Sequence, residues 1–168
     1  RYTSLAAVLA DTCSRFADQA AYESMGTAMS FRQVDSESLA FAAWLQKVAQ
    51  LQPGERVGIM MPNLLQVPVA LFGVLRAGLV VVNINPLYTP RELEHQLKDA
   101  GVSAIVVLEN FAHTLAQVIA STSVRTVVTT QVGDMLPPLR RWLTNGVVKH
   151  VKKLVPGWSL PGAVDWRQ

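Results

Sequence analysis

Five basic residues near the carboxyl end give this sequence its strongest chemical pattern. Between positions 136 and 160 there is no acidic residue, and apolar residues recur every three or four positions: Leu136, Leu139, Leu143, Val147, Val151 and Leu154. The cations fall mainly on the other side of the helix that this spacing predicts. The pattern is typical of a helix lying on anionic lipid, where each cation contributes about 1 kcal/mol and five give an upper bound of about 5 kcal/mol. We therefore predict these candidate membrane contacts: Arg140, Arg141, Trp142, Lys149, Lys152, Lys153 and Trp158.

The same spacing fits a second structure equally well, an amphipathic helix packed on its own protein. Gly146 is able to divide the helix, and Arg140 falls on its apolar face. Nucleic acid is a weaker candidate, because no aromatic residues are interleaved with the charges for base stacking. We expect no nucleic-acid partner, and the choice between lipid and protein stays open.

The rest of the sequence offers no catalytic or metal-binding constellation. His95, His113 and His150 lie far apart, and the single Cys13 has no partner for a disulfide, which fits a reducing compartment. The sequence lacks a glycine-rich phosphate loop, a dinucleotide fingerprint and a serine-nucleophile elbow. Asn83 and Asn85 follow a predicted strand, where turn-forming amides are favoured over ligand contacts. We therefore assign no catalytic, cofactor-binding or metal-binding residue to this chain.

Length and composition favour one well-buried globular domain, since the 168 residues are 50% hydrophobic and 16% charged. The net charge of +3 is uneven. Residues 1–134 carry nine Lys and Arg against eleven Asp and Glu, whereas residues 135–168 carry six against one. This basic excess indicates a phosphate-bearing partner. Residues 57–75 are uncharged, but Pro62 and Pro68 interrupt them, so we predict a strand and a helix rather than a membrane span.

Residues 1–52 predict a helix, a hairpin and a second helix. A helix over residues 4–16 precedes a tight hairpin. Ser30 and Gln33 have the spacing of a capping box, which begins a second helix that runs to about Val48. These elements form the lead-in to the segment that follows.

Residues 53–134 predict alternating strands and helices. Four short β-branched runs begin 22 to 24 residues apart, long enough for a crossover helix between each pair; they start near Val57, Val80, Ala104 and Thr126. We expect Asn63 to cap the first intervening helix, and Thr89 and Glu92 to form a capping box at the start of the second. The third helix is expected to start after Asn110. Because the strands are apolar throughout, the sequence predicts an α/β fold with a doubly wound, mostly parallel sheet and flanking helices. Residues 135–168 form the basic amphipathic segment.

The motifs along the chain resemble those of adenylate-forming enzymes. Residues 75–93 read LRAGLVVVNINPLYTPREL, which is similar to an early core motif of that family, and residues 29–33 read MSFRQ, a weaker match to a still earlier one. GERV at residues 54–57 and MPN at 61–63 extend the likeness. NINPLYTPRELEHQL at 83–97 and VVKHVKKLVP at 147–156 resemble bacterial long-chain fatty acid–CoA ligases in particular.

The resemblance implies a two-step reaction that uses ATP, Mg and coenzyme A. A long-chain fatty acid carboxylate would attack the α-phosphate of Mg-ATP, and the thiol of coenzyme A would then displace AMP from the acyl-adenylate. The family's phosphate loop, Mg-associated motif, ribose-binding Asp and catalytic Lys are not recognisable in this sequence. We therefore expect the N-terminal part of the large domain of a longer ligase, inactive by itself, cytoplasmic and peripheral on the inner face of the cell membrane.

Two alternatives remain. In the first, the longer enzyme to which this chain belongs acts on a medium-chain or aryl acid. In the second, the chain is a non-catalytic module that binds a lipid surface or a partner. If the sheet is part of a larger domain, its edge strands are exposed in this chain and are able to pair with those of another copy. A homo-oligomer therefore stays an open prediction.

Overall fold

Residues 2–167 are described by the computed structural model and form two compact units, each built from two stretches of chain. The first unit comprises Arg1–Glu55 and Asn63–Val81, and the second comprises Arg56–Pro62 and Val82–Gln168. The sequence pattern predicts a division of the chain into residues 1–52, 53–134 and 135–168, and these boundaries differ from those of the two units. The three-part division stays a prediction.

The first unit contains three helices and a β-hairpin. Along the chain its elements are α1 (Leu5–Arg15), β1 (Ala20–Ser24), β2 (Thr27–Ser30), α2 (Phe31–Lys47) and α3 (Gln66–Arg76). The capping box predicted at Ser30 and Gln33 is confirmed, with the Ser30 hydroxyl accepting from the Gln33 N–H and the Gln33 side chain accepting from the Ser30 N–H. At the other end of α2, Val48 is the C-cap residue, and its N–H donates to the Trp44 carbonyl oxygen. Residues next to each other in sequence therefore fix both ends of the helix.

Helices α2 and α3 pack closely against each other. A β-carbon placed at Gly73 would lie 2.7 Å from Phe41 Cδ1, so the glycine is needed for the approach. The Arg76 guanidinium, nearly buried, donates to the Asp35 carboxylate and, over 3.1 Å, to the Asp35 carbonyl oxygen. Glycine and ion pair together hold the two helices in one register.

The predicted cap at Asn63 is wrong. Helix α3 begins at Gln66, with Leu65 at the N-cap position and no side-chain cap. Pro68 explains the late start. A helix capped at Asn63 would place this proline where its missing N–H is required, whereas a start at Gln66 leaves it in the first turn, where no N–H is needed.

The second unit contains the parallel sheet. Along the chain its elements are β3 (Arg56–Met60), β4 (Val80–Asn83), α4 (Pro90–Asp99), β5 (Val102–Leu108), α5 (Glu109–Val118), β6 (Thr126–Thr130), α6 (Pro138–Gly146) and β7 (Val164–Asp165), and only β4 begins in the first unit. The strand order is β4-β3-β5-β6-β7, and the β3–β5, β5–β6 and β6–β7 pairs are parallel. The predicted α/β class with a parallel sheet is confirmed, whereas β7 was not predicted.

Helices α4 and α5 pack on this sheet through a continuous apolar core. Leu93 and Leu97 of α4 and Leu115 of α5 are fully buried against strand residues that include Ile105. The capping box predicted at Thr89 and Glu92 is confirmed, with Pro90 at the first helical position. The helix predicted to start at Phe111, after Asn110, begins two residues earlier, at Glu109.

The carboxyl-terminal helix is shorter than predicted. After α6 the chain forms one turn of π-helix, Val147–Val151, in which the Lys152 N–H donates to the Val147 carbonyl oxygen over 2.8 Å. The helix therefore does not reach residue 160. It ends because Lys153 adopts a left-handed conformation with φ +50°, which no helix continues. Within residues 2–167, no helix has the length and apolar character needed to span a membrane.

Candidate functional site

Two polar side chains meet at the carboxyl end of the sheet. Glu109 follows β5 directly and Gln131 follows β6, and because these strands are parallel neighbours their ends lie side by side. Gln131 Nε2 donates to Glu109 Oε2 over 3.0 Å. The Glu109 carboxylate is only 4% exposed, and Lys149 Nζ lies 3.7 Å from the same oxygen. This edge is where parallel α/β sheets bind their ligands.

A buried aspartate organises the turn after β6. Asp134 Oδ2 accepts from the Thr130 hydroxyl over 2.9 Å and from the Gln131 N–H over 2.7 Å. Burial raises the pKa of the Asp134 carboxyl above its ordinary value, while these hydrogen bonds oppose that shift. The turn is thus held by one carboxylate that spans its backbone.

Asn145 fastens α6 to this turn. Its Oδ1 accepts from the Gly133 N–H over 2.7 Å, and its Nδ2 donates to Asp134 Oδ1 over 3.3 Å. Gly133 is needed here, since a β-carbon would lie 2.7 Å from the same Asn145 oxygen and 3.0 Å from the Arg141 carbonyl oxygen. The face of α6 that meets the protein is therefore held by polar contacts.

A cavity of about 440 Å³ opens between the strand ends and the α6–π-helix segment. Two of its cations, Arg141 and Lys149, were predicted contacts, and His150 adds a third basic side chain. The complete lining is Gln131, Arg141, Trp142, Asn145, Gly146, Lys149 and His150. Arg141 and Lys149 are charge-assisted donors in this lining, which is the chemistry that favours an anion.

The apolar residues of this segment point away from the protein. Leu139 is 72% exposed and Val151 is 74% exposed, with three further members between and after them. We call this set the apolar stripe: Leu139, Leu143, Val147, Val151 and Leu154. Leu136, the first apolar residue of the predicted pattern, is instead buried in the protein, whereas these five are exposed among the residues that the structure describes.

The seven predicted contacts do not all lie together. Arg141, Trp142 and Lys149 line the cavity, and Arg140, Lys152 and Lys153 are exposed on the same segment outside it. Trp158 is different, since it packs against the core of the second unit. The sequence reasoning missed Asn145 and His150 in the cavity wall, and no periodic signal marks either one.

Metal-binding groups are not found in the part of the chain that the structure describes: residues 2–167 contain no cluster of three His, Cys, Asp or Glu suited to a metal ion. Asn85, considered as a ligand contact, instead accepts from the Leu87 N–H over 3.0 Å and closes a turn.

Fold and site together define an α/β protein whose ligand-facing edge is the carboxyl end of a parallel sheet. Residues 9–159 match the AMP-binding enzyme family, and the chain belongs to that family. It is 54% identical over 167 residues to a long-chain-fatty-acid–CoA ligase of Escherichia coli O157:H7, covering 99% of this chain and 30% of the relative. The corresponding ligase of Haemophilus influenzae is 52% identical over 168 residues, covering 100% and 30%. The chain thus spans about 30% of the length of these relatives.

Solved structures agree with this fold. A putative long-chain-fatty-acid CoA ligase from Rhodopseudomonas palustris CGA009 superimposes with a TM-score of 0.74, covering 98% of this chain and 35% of that one. The identity is 17%, so this likeness concerns the fold alone.

Proposed function

We propose that this chain is the N-terminal part of a long-chain fatty acid–CoA ligase. The observation that carries the proposal is the 54% identity over nearly the whole chain to a ligase of that name. In the proposed reaction, a fatty acid carboxylate attacks the α-phosphate of ATP to give acyl-adenylate and pyrophosphate, and coenzyme A then displaces AMP. Adenylation converts a poor leaving oxygen into a good one, which makes attack by the thiol favourable, and Mg²⁺ offsets the phosphate charge.

In this proposal the chain contributes scaffold rather than catalytic groups. Its parallel sheet and α4–α5 layer fix the positions of the strand ends, and Glu109 and Gln131 form part of the surface that faces the remaining chain's ligands. The medium-chain or aryl alternative is not favoured, since the relatives above 50% identity carry the long-chain name.

The test is thioester formation by the intact protein from ATP, coenzyme A and a series of fatty acids from C6 to C18. Residues 1–168 alone are the parallel control. Activity that peaks with long acyl chains in the intact protein, with none in residues 1–168, supports the proposal. An intact protein inert toward every fatty acid contradicts it, and activity in residues 1–168 alone contradicts the assignment to scaffold.

We also propose that the α6–π-helix segment contacts an anionic membrane from the cytoplasmic side. The apolar stripe is exposed and is flanked by cations outside the cavity: Arg140, Lys152 and Lys153. Interfacial helices combine these two features, since the stripe enters the headgroup boundary while the cations meet the lipid phosphates.

Co-sedimentation of the intact protein with vesicles tests this second proposal. Vesicles of phosphatidylcholine with 30% phosphatidylglycerol are compared with phosphatidylcholine alone, each at low and high salt. Binding that survives high salt indicates insertion of the stripe, and the Leu143→Glu variant should then lose it. Failure to bind anionic vesicles at low salt contradicts the proposal, because screening is then weakest.

A further inference from the structure

The cavity beside α6 is a groove between two rows of helix side chains. Six of its seven lining residues belong to α6 and the π-helix, and within each row every residue follows the last by four positions. The rows are Arg141, Asn145 and Lys149, and Trp142, Gly146 and His150. Residues four apart are neighbours on a helix surface, so each row runs along the helix axis.

Gly146 leaves the middle of the second row empty. A β-carbon placed there would meet nothing within 4 Å beyond its chain neighbours and its own helix backbone. The space between Trp142 and His150 is therefore open, and it adjoins the row that carries Arg141 and Lys149.

Arg141 brings unused hydrogen-bond donors to this space. The residue is half-buried, and among residues 2–167 its guanidinium has no hydrogen-bond or ion-pair partner. The nearly buried Arg76 is different, since it is paired with the Asp35 carboxylate. A guanidinium stays charged and presents its donors as a planar fork, which matches two oxygens of a phosphate. Partial burial of such a charge costs free energy unless an anion accompanies it.

Lys149 lines the same space and keeps its donors available. The distance from Lys149 Nζ to Glu109 Oε2 is 3.7 Å, longer than a hydrogen bond, so the attraction orients the ammonium group without using its N–H donors. Glu109 is nearly buried, accepts from Gln131 and does not line the cavity. Lys149 and His150 lie in the π-helix, a rare conformation that is found frequently at functional sites.

The charges at the cavity favour an anion. None of the seven lining residues is acidic, whereas Arg141 and Lys149 are cations. The carboxylates of Glu109 and Asp134, which contact lining residues, are buried and already accept hydrogen bonds from the protein. The lining therefore offers two permanent cations, of which only Lys149 lies near a carboxylate.

We propose that this cavity binds one inorganic phosphate dianion, held by the Arg141 fork and the Lys149 ammonium group. The two residues are eight positions, about 12 Å, apart along the helix, so their long side chains approach the cavity from its two ends. The oxygens of a phosphate point in different directions and can accept from both, whereas the planar carboxylate of an organic acid would be filled by the fork alone. The site depends neither on the ligase reaction nor on the proposed membrane contact, which uses cations outside the cavity.

Fluorine NMR of the intact protein labelled with 5-fluorotryptophan tests the site at one of its own lining residues. The Trp142 resonance is the one that disappears in Trp142→Phe. Inorganic phosphate is titrated in mildly alkaline buffer, where it is mainly a dianion, with sodium chloride of equal ionic strength as the control. Acetate is titrated in parallel as the carboxylate probe. Because the signal belongs to Trp142, phosphate bound elsewhere in the intact protein does not enter the readout.

We expect phosphate to move the Trp142 resonance to saturation. Arg141→Gln and Lys149→Gln should each raise the half-saturating phosphate concentration about tenfold. Lys152→Gln is the matched control, since it removes a cation of the same segment outside the cavity, and it should leave that concentration within about twofold. Gly146→Leu fills the open space without changing any charge, and it should abolish the saturable shift.

Four results would overturn the proposal. A Trp142 resonance that responds to phosphate no more than to chloride would mean that the cavity holds no phosphate in the intact protein. Equal losses for Lys149→Gln and Lys152→Gln would mean a diffuse attraction to the whole segment. A saturable response to acetate at the same concentrations would contradict the choice of phosphate as ligand. Saturation retained in Gly146→Leu would mean that phosphate binds outside the cavity.

Discussion

Replacing Asn145 with alanine removes the side chain that fastens α6 to the turn after β6. The change deletes two hydrogen bonds, one from the Gly133 N–H over 2.7 Å and one to Asp134 Oδ1 over 3.3 Å. It leaves the rest of α6 unaltered, because alanine is a strong helix former.

The expected cost follows from what is left without a partner. Gly133 and Asp134 are both buried, and a buried donor or acceptor that loses its partner costs about 1–3 kcal/mol. Asp134 keeps its bonds from Thr130 and Gln131, so its share falls at the low end. We therefore expect α6 to be held about 2–4 kcal/mol less tightly to the second unit, which corresponds to an opening constant larger by a factor of about 30 or more.

Amide hydrogen exchange in the intact protein measures this directly. The amides of α6 and the Gly133 amide should exchange faster in Asn145→Ala, by about 30-fold or until protection is lost. The amides of β5 should keep their rates, since that strand lies in the core. Leu139→Ala is the control on the same helix, because Leu139 is exposed and its loss should change nothing there. Unchanged exchange in α6 of Asn145→Ala would show that the helix is held by something other than these two bonds.

Three further predictions concern the helices. Gly73→Ala should lower the free energy of unfolding by about 0.5–2 kcal/mol, since a clash with Phe41 of about 1–3 kcal/mol outweighs the better helix propensity. Gly146 lies in a helix with open space around it, so Gly146→Ala should raise the free energy of unfolding by about 0.5–1 kcal/mol. Urea midpoints that move in the same direction for Gly73→Ala and Gly146→Ala would contradict these opposite signs. Thr89→Val should destabilise by about 1 kcal/mol at pH 7 through loss of the helix cap. The Thr89 N–H and hydroxyl hold the pKa of Glu92 below its ordinary value, so stability from this box is present above the usual glutamate pKa and is lost as the pH falls through the lowered one. The difference between Thr89→Val and the parent should therefore shrink in acid, and a difference independent of pH in urea titrations would refute the mechanism.

The features that could be predicted from sequence are those fixed by neighbours along the chain. Ser30 with Gln33 and Thr89 with Glu92 lie three residues apart, so spacing alone reveals both capping boxes. Strands β3, β4, β5 and β6 were also predictable from their uninterrupted apolar runs, whereas the two-residue β7 was not. Asn63 shows the limit of a single signal, since a favourable cap was overruled by a proline five positions later.

The site depends on pairs that sequence spacing does not reveal. Asn145 contacts Gly133, twelve residues away, and Glu109 contacts Gln131, 22 residues away across two neighbouring strands. Periodicity located the apolar stripe of α6 but not its direction. An amphipathic helix normally turns its apolar face inward, whereas here the Asn145 contacts face the protein and the stripe faces outward.

This inverted orientation has a thermodynamic consequence for the attachment of α6. When the helix detaches, little new apolar surface meets water, because the stripe is already there. The heat-capacity change of this local opening should therefore be small, and its dependence on urea should be shallow. Cooling will not loosen α6 as it loosens a contact made by apolar burial, since the hydrogen bonds that hold it do not share the temperature dependence of the hydrophobic effect.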